Sequence, residues 1–122
     1  MYNDNKEIEK GGYNMKKSNF YLRYKTGFHL VNGYIDTITD DHGNKFIIGF
    51  HRTDIGRRTI WGASHIESGL AICSGGTRKE CLEKVKSERT LNMLNEATQS
   101  SELKEVIEEM NQFLKTGAID ND

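Results

Sequence analysis

From Asn19 onward hydrophobic and polar positions alternate. Phe20, Leu22 and Tyr24 interleave with Tyr21, Arg23 and Lys25, the two-residue period of a strand. Thr26-Gly27 predicts a tight turn, and Phe28 to Ile38 a long second strand with Gly33 as a place to bend. Asp40-Asp41-His42-Gly43-Asn44 is a hairpin signal, followed by a third strand from Lys45 to His51 with Phe46, Ile48 and Phe50 on one face. Thr53-Asp54-Ile55-Gly56 turns the chain into a fourth strand, Arg57 to His65, which carries the single tryptophan, Trp61. Glu67-Ser68-Gly69 then reverses it into a short strand, Leu70 to Cys73.

Beyond Cys73 the period becomes helical. The first helix carries Cys81, Leu82 and Val85 on one face, but Leu91, Leu94 and Ala97 on nearly the opposite one. Either it breaks near Ser87, or one face packs on its own sheet and the other on a second subunit. Ser100 or Ser101 can cap the next helix, where Leu103, Val106, Ile107, Met110, Phe113 and Leu114 form one apolar stripe ended by Gly117. The pattern predicts an α+β fold: an N-terminal antiparallel sheet of about five strands followed by two C-terminal helices. Residues 1–18, polar and containing Gly11-Gly12, read as a mobile arm in which Met15 offers an alternative start. Residues 19–116 read as one domain and 117–122 as a polar tail.

Composition narrows the function. A chain of 122 residues forms one domain with a modest core. A net charge of −1 argues against a large nucleic-acid footprint and against an acidic mimic of nucleic acid. No apolar run approaches a membrane span, and the N-terminal stretch lacks a signal-peptide core. Cys73 and Cys81 are the only cysteines. They fit no zinc spacing, and we expect both to stay reduced in a cytosol. No cofactor is expected.

The stretch Ser74-Gly75-Gly76-Thr77-Arg78-Lys79-Glu80 joins the last strand to the first helix. Thr77 and Glu80 have the spacing of a capping box. The first helical amides and the positive end of the helix dipole then stand beside Arg78, an arrangement suited to phosphate. The same residues also make an ordinary strand-to-helix turn, the commoner use. No Lys-Ser/Thr pair closes a longer glycine loop, so this is not a Walker-type loop. Along the helix, Arg78, Arg89 and Asn92 continue the Leu82/Val85 side, and describe either a polar pocket beside the core or solvated groups. Arg23, Arg57 and Arg58 fall on or next to strands that also carry Tyr21, Tyr24, Phe28 and Trp61. Arginine forks bind phosphate and aromatic faces stack on bases. These are parts of a nucleotide pocket, with Phe28 and Trp61 the favoured rings, although core packing explains most of the aromatics.

Catalytic chemistry is harder to find. His29, His42, His51 and His65 are scattered, and none has a second ligand at metal-motif spacing. His51 and His65 could meet across neighbouring strands. Cys73, near a helix N-terminus, is a candidate for a lowered pKa but has no sequence-local base. Glu102, Glu105, Glu108 and Glu109 read as a solvated helix face. No nucleophile–base pair, carboxylate pair or metal shell is legible.

The order of a polar arm, an antiparallel sheet and two C-terminal helices now acquires a context. Together with Arg57-Arg58-Thr59-Ile60-Trp61-Gly62-Ala63-Ser64-His65, Ser68-Gly69-Leu70-Ala71-Ile72 and Gly76-Thr77-Arg78, it resembles the phage-encoded Thoeris anti-defence sponge proteins, the first type described. The resemblance covers residues 19–116. It implies a non-enzymatic protein of the infected host's cytoplasm that captures cyclic ADP-ribose isomers made by TIR-domain proteins and so silences Thoeris defence. Some members also hold cyclic di- or trinucleotides at a second site between subunits, which implies action on CBASS-type immunity and a homo-oligomer, a dimer or higher. On chemistry and position, Arg57, Arg78 and Arg89 could meet the phosphates, with Arg23 nearby and the amides of Gly75, Gly76 and Thr77 assisting. Phe28 or Trp61 could stack on adenine, and Asn92 could read a ribose or base edge.

Three other readings remain at this point. Tyr21, Arg23, Tyr24 and Trp61 could form a stacking platform for single-stranded nucleic acid, with steep salt dependence. A small phosphodiesterase would need His51 or His65 as base. An inhibitor that binds another protein would need no pocket.

Overall fold

The computed structural model describes residues 15–116. Five strands come first: β1 (Lys16–Tyr24), β2 (Gly27–Thr39), β3 (Lys45–Ile55), β4 (Arg58–His65) and β5 (Leu70–Gly75). They lie side by side in chain order, every neighbouring pair antiparallel. Three helices follow: α1 (Arg78–Val85), α2 (Glu88–Ala97) and α3 (Ser101–Thr116). The α+β architecture expected from the pattern is the one observed.

Two boundaries differ from expectation. Strand β1 starts at Lys16, inside the stretch read as an arm, and Met15 is buried in the core. Residues 1–14 of that arm, and the tail 117–122 with its Gly117 stop, lie outside the described residues. The helical region also holds three helices rather than two, because the first expected helix breaks at Ser87. There the backbone is extended, and the hydroxyl accepts the Thr90 N–H at 3.3 Å while donating to the Lys84 carbonyl at 2.8 Å. That cap starts a new helix with a new direction. The opposed apolar faces are thereby reconciled within one chain: Leu94 joins Cys81, Leu82 and Val85 in a single core, with Leu91 packed against it. Ser100 caps α3 by accepting the Leu103 N–H at 3.1 Å.

Strands have a period of two, so each presents two faces. One face supplies Ile38, Phe46, Ile48, Phe50 and Ala63, all buried beneath α1 and α2. On the other face Phe20 lies across β2 onto β3. A Cβ on Gly49 would stand 2.7 Å from two Phe20 ring carbons and 2.8 Å from Ile66 Cδ1, so only glycine leaves room for the ring. The sheet curls enough for the Arg23 N–H to donate to the Gly69 carbonyl at 2.8 Å, tying the end of β1 to the turn between β4 and β5. Gly69 has a φ of +78°, and Met110 of α3 packs directly on it.

Helix α3 docks on the β1–β2 hairpin end. Phe113 stacks on Phe28 with centroids 4.7 Å apart and meets Tyr21 edge-on at 4.7 Å, while Glu109 pairs with Arg23. Met110 is the only buried member of its stripe, and Leu114 is exposed. Among the described residues no helix is long and apolar enough to cross a membrane.

Candidate ligand-binding site

Tight turns fix how the strands face each other. Tyr24 lies opposite Gly27, so Asn19 falls opposite Asn32 and Lys17 opposite Tyr34. The turn at Gly56, whose φ is +62°, places Arg52 opposite Trp61. Alternation then brings these side chains to one face, beside the core and not beneath a helix. A cavity of about 610 Å³ opens there, lined chiefly by Lys17, Asn19, Asn32, Tyr34, Arg52 and Trp61. Two cations, two amides and two aromatic rings line it, and among the described residues no carboxylate does.

Arg78 completes the arrangement from the first turn of α1. Its guanidinium lies 4.2 Å over the Tyr34 ring and 5.9 Å from the Trp61 ring. The two rings are 6.2 Å apart and tilted by 41°. Among the described residues Arg78 makes no ion pair and no side-chain hydrogen bond. The stack therefore holds the plane of the guanidinium and leaves its N–H edge unspent, the form in which arginine grips a phosphate. Arg52 is partly engaged: its Nε lies 3.3 Å from Asp54 Oδ1 in a largely exposed pair. Such pairs hold weakly.

The glycine turn has a different character from the one expected. The capping box forms, with the Glu80 N–H donating to Thr77 Oγ1 at 3.0 Å. The Glu80 carboxylate then accepts the Gly76 N–H at 2.7 Å. The chain's own carboxylate thus takes up the Gly76 amide, one of the three (Gly75, Gly76 and Thr77) expected to offer an anion position. The turn acts by starting α1 in a fixed place and so placing Arg78.

The other expected contacts disperse. Arg23 and Phe28 are taken up in docking α3: the guanidinium lies 5.0 Å over Phe28 and pairs with Glu109, while Phe28 stacks on Phe113. Arg57 is exposed in the β3–β4 turn and Asn92 is exposed on α2, and neither lines the cavity. Arg89 lines a second cavity, of about 660 Å³, with Cys73, Glu80, Glu83, Lys84 and Ser87. Of the residues singled out from sequence, the structure gathers Trp61 and Arg78. Lys17, Asn19, Asn32, Tyr34 and Arg52 were missed. The signal that could have found them is the register imposed by the Thr26-Gly27 and Gly56 turns.

The stacking platform for single-stranded nucleic acid does not assemble as expected. Tyr21 is covered by Phe113, and Tyr24 projects from the opposite face of β1 and meets His29 at 4.9 Å. The histidines do not meet either. His65 lies opposite Ile48 on the core face, whereas His51 lies against Gly62 on the other. Burial lowers the pKa of both; at His65 the Glu67 carboxylate opposes that effect. His65 Nδ1 is 2.8 Å from Ser68 Oγ and Nε2 is 3.6 Å from Glu67. This Ser–His–Glu grouping locks the β4–β5 turn: Ser68 is wholly buried and its hydroxyl also accepts the Leu70 N–H at 3.2 Å. Among the described residues no cluster of three metal-ligating side chains occurs.

No protein-family model, no characterised protein and no solved structure matches this chain.

Proposed function

We propose that the protein is a binding module that captures a cyclic nucleotide of the cyclic ADP-ribose class and holds it intact. The observation that carries this reading is the cavity wall: Tyr34 and Trp61 beside Lys17 and Arg52, with Asn19 and Asn32 and, among the described residues, without a carboxylate. A cyclic ADP-ribose presents an adenine, a pyrophosphate and two riboses. Tyr34 or Trp61 takes the purine face, Lys17, Arg52 and the unspent edge of Arg78 take the pyrophosphate, and the two amides read ribose hydroxyls. The volume falls in the range of about 300–1,000 Å³ usual for small-molecule sites.

The resemblance to the Thoeris anti-defence sponge proteins supplies the biological reading. The captured ligand is then the signal made by TIR-domain enzymes in the infected host's cytoplasm, and sequestration silences the defence. Capture without cleavage belongs to this reading, which the lining supports with side chains that bind charge and stack on rings. A homo-oligomer, and a further site for cyclic oligonucleotides, belong to the same reading.

The experiment is stoichiometric capture. Protein is incubated with a panel of cyclic ADP-ribose isomers and cyclic oligonucleotides, filtered, then heated, and both fractions are read by mass spectrometry. Depletion from the filtrate with recovery of intact ligand on heating is the expected outcome. An altered product identifies an enzyme, and no depletion of any cyclic ADP-ribose isomer overturns the proposal.

A further inference from the structure

Strand β5 and helix α1 each carry one of the chain's two cysteines, and the fold lays them together. Cys73 Sγ lies 3.9 Å from the Cys81 carbonyl oxygen, and Cys81 Sγ lies 3.9 Å from the Cys73 carbonyl oxygen. Each thiol thus reaches across to the backbone of the other residue, and both are free. Their surroundings differ. Cys81 has no exposed surface, whereas Cys73 is half-buried and lines the second cavity beside Lys84 and Arg89. The neighbouring Cys81 thiol lowers the Cys73 pKa to about 7 against the effect of burial, with Lys84 assisting. The same contact, with burial, holds the Cys81 pKa up. One accessible thiolate backed by a second thiol is the layout of redox-reactive cysteine pairs.

We propose that Cys73 and Cys81 form a reversible disulfide by exchange with low-molecular-weight disulfides, with Cys73 the first site of attack. The Cys73 thiol gives its proton to water, and its thiolate attacks one sulfur of the small disulfide. A mixed disulfide forms, the small S–S bond breaks, and one small thiolate leaves with the electron pair and takes up a proton. The Cys81 sulfur then attacks Cys73 Sγ and displaces the second small thiolate, which takes up the proton that Cys81 gives up. Two protein thiols are oxidised to one disulfide, and one small disulfide is reduced to two thiols. The cavity wall balances Lys84 and Arg89 against Glu80 and Glu83, so its charge does not select among small disulfides, and oxidised glutathione serves as the probe. The new bond spans the Gly75-Gly76-Thr77 turn and ties α1, which bears Arg78, to β5. This inference is independent of the ligand proposed above.

The test treats the folded protein with oxidised glutathione and follows intact and peptide masses. The wild-type chain is expected to lose two hydrogens and yield a Cys73–Cys81 crosslinked peptide that dithiothreitol reverses. Cys81→Ser is expected to stall with one glutathione on Cys73, and Cys81→Ala replaces it if circular dichroism finds the serine variant unfolded. Cys73→Ser is expected to stay unmodified while folded. The iodoacetamide reaction of wild-type Cys73 is expected to rise with a midpoint at about pH 7. A stable glutathione adduct on wild-type Cys73 without a crosslink overturns the pair. So does an inert folded protein whose urea-unfolded form reacts, or first attack at Cys81 in the Cys73→Ser variant.

Discussion

The guanidinium of Arg78 lies 4.2 Å over the ring of Tyr34, and among the described residues no carboxylate pairs with it. The two residues come from different layers, Tyr34 from the middle of β2 and Arg78 from the start of α1. What joins them is the cap: Thr77 accepts the Glu80 N–H and Glu80 closes on Gly76, so α1 begins at one defined point over the sheet. A cation held this way has lost its freedom before any ligand arrives. Less entropy is then lost when an anion binds.

Arg78→Ala is expected to weaken capture of a cyclic ADP-ribose isomer roughly thirtyfold, from the loss of about 2 kcal/mol of charged hydrogen bonding. Arg78→Lys keeps the charge but not the planar fork, and should recover only part of the loss. Stability should change by no more than about 1 kcal/mol, the scale of a partly exposed cation–π contact. Titration calorimetry together with thermal melts separates the two effects. Wild-type affinity in Arg78→Ala would place the ligand elsewhere.

Gly49→Ala should destabilise the fold by about 1–3 kcal/mol through overpacking. The added methyl meets Phe20 ring carbons at 2.7 Å on one side and Ile66 Cδ1 at 2.8 Å on the other, and the Phe20 ring is itself buried. If the ring is the cause, Phe20→Leu should recover part of the loss in the double variant, a non-additivity that urea denaturation reads. Strict additivity of the two substitutions would exclude that contact as the origin.

The strands and their order were legible because each turn carries its own signal. Gly27, Gly43, Gly56 and Gly69 all adopt positive φ, and all stood at turns read from sequence. The site was half legible. Trp61 and Arg78 stood out as residue types, but Lys17 was assigned to an arm because Lys16-Lys17-Ser18 lacks apolar alternation. Lys17 lies opposite Tyr34 and faces the cavity, not the core, so hydrophobic period cannot reveal it, whereas the turn register can. Arg23 and Phe28 stand apart from the cavity for another reason. Their partners Glu109 and Phe113 sit on α3, and no local pattern encodes that docking. The break at Ser87 was visible as a switch of apolar face, and its cap explains the third helix.

Acid should weaken the fold through the histidines. Burial holds the His51 and His65 imidazoles neutral in the native state by lowering their pKa values. The unfolded chain, with imidazole pKa near ~6.5, binds more protons below that pH. Stability is therefore full above about pH 6.5 and is lost as pH falls toward the folded-state values. Asp36 acts with the opposite sign, because burial raises its pKa, but only as the carboxylate range is approached. The urea midpoint should thus fall between about pH 7.5 and about pH 5.5, and His65→Gln should flatten the slope. A midpoint constant across that window would mean that neither imidazole is held neutral by burial.

Helix α3 offers a choice between two fastenings, and magnitudes decide which one holds. Glu109, 61% exposed in its pair with Arg23, can contribute at most about 1 kcal/mol after solvent screening. Phe113 stacks on Phe28 and meets Tyr21 edge-on, and each aromatic pair adds about 0.5–1.5 kcal/mol beyond the area it buries. Phe113→Ala should therefore cost about 2–3 kcal/mol, less than for a fully buried ring because Phe113 is half-buried. Glu109→Gln should cost less than about 1 kcal/mol, and that small effect should vanish at high salt. Hydrogen exchange gives the local reading. In Phe113→Ala the α3 amides should lose protection while those of β3, at the centre of the sheet, keep it, since α3 contributes only Met110 to the buried interior. If Glu109→Gln instead releases α3 and Phe113→Ala leaves it protected, the ion pair and not the aromatic stack is what anchors the helix.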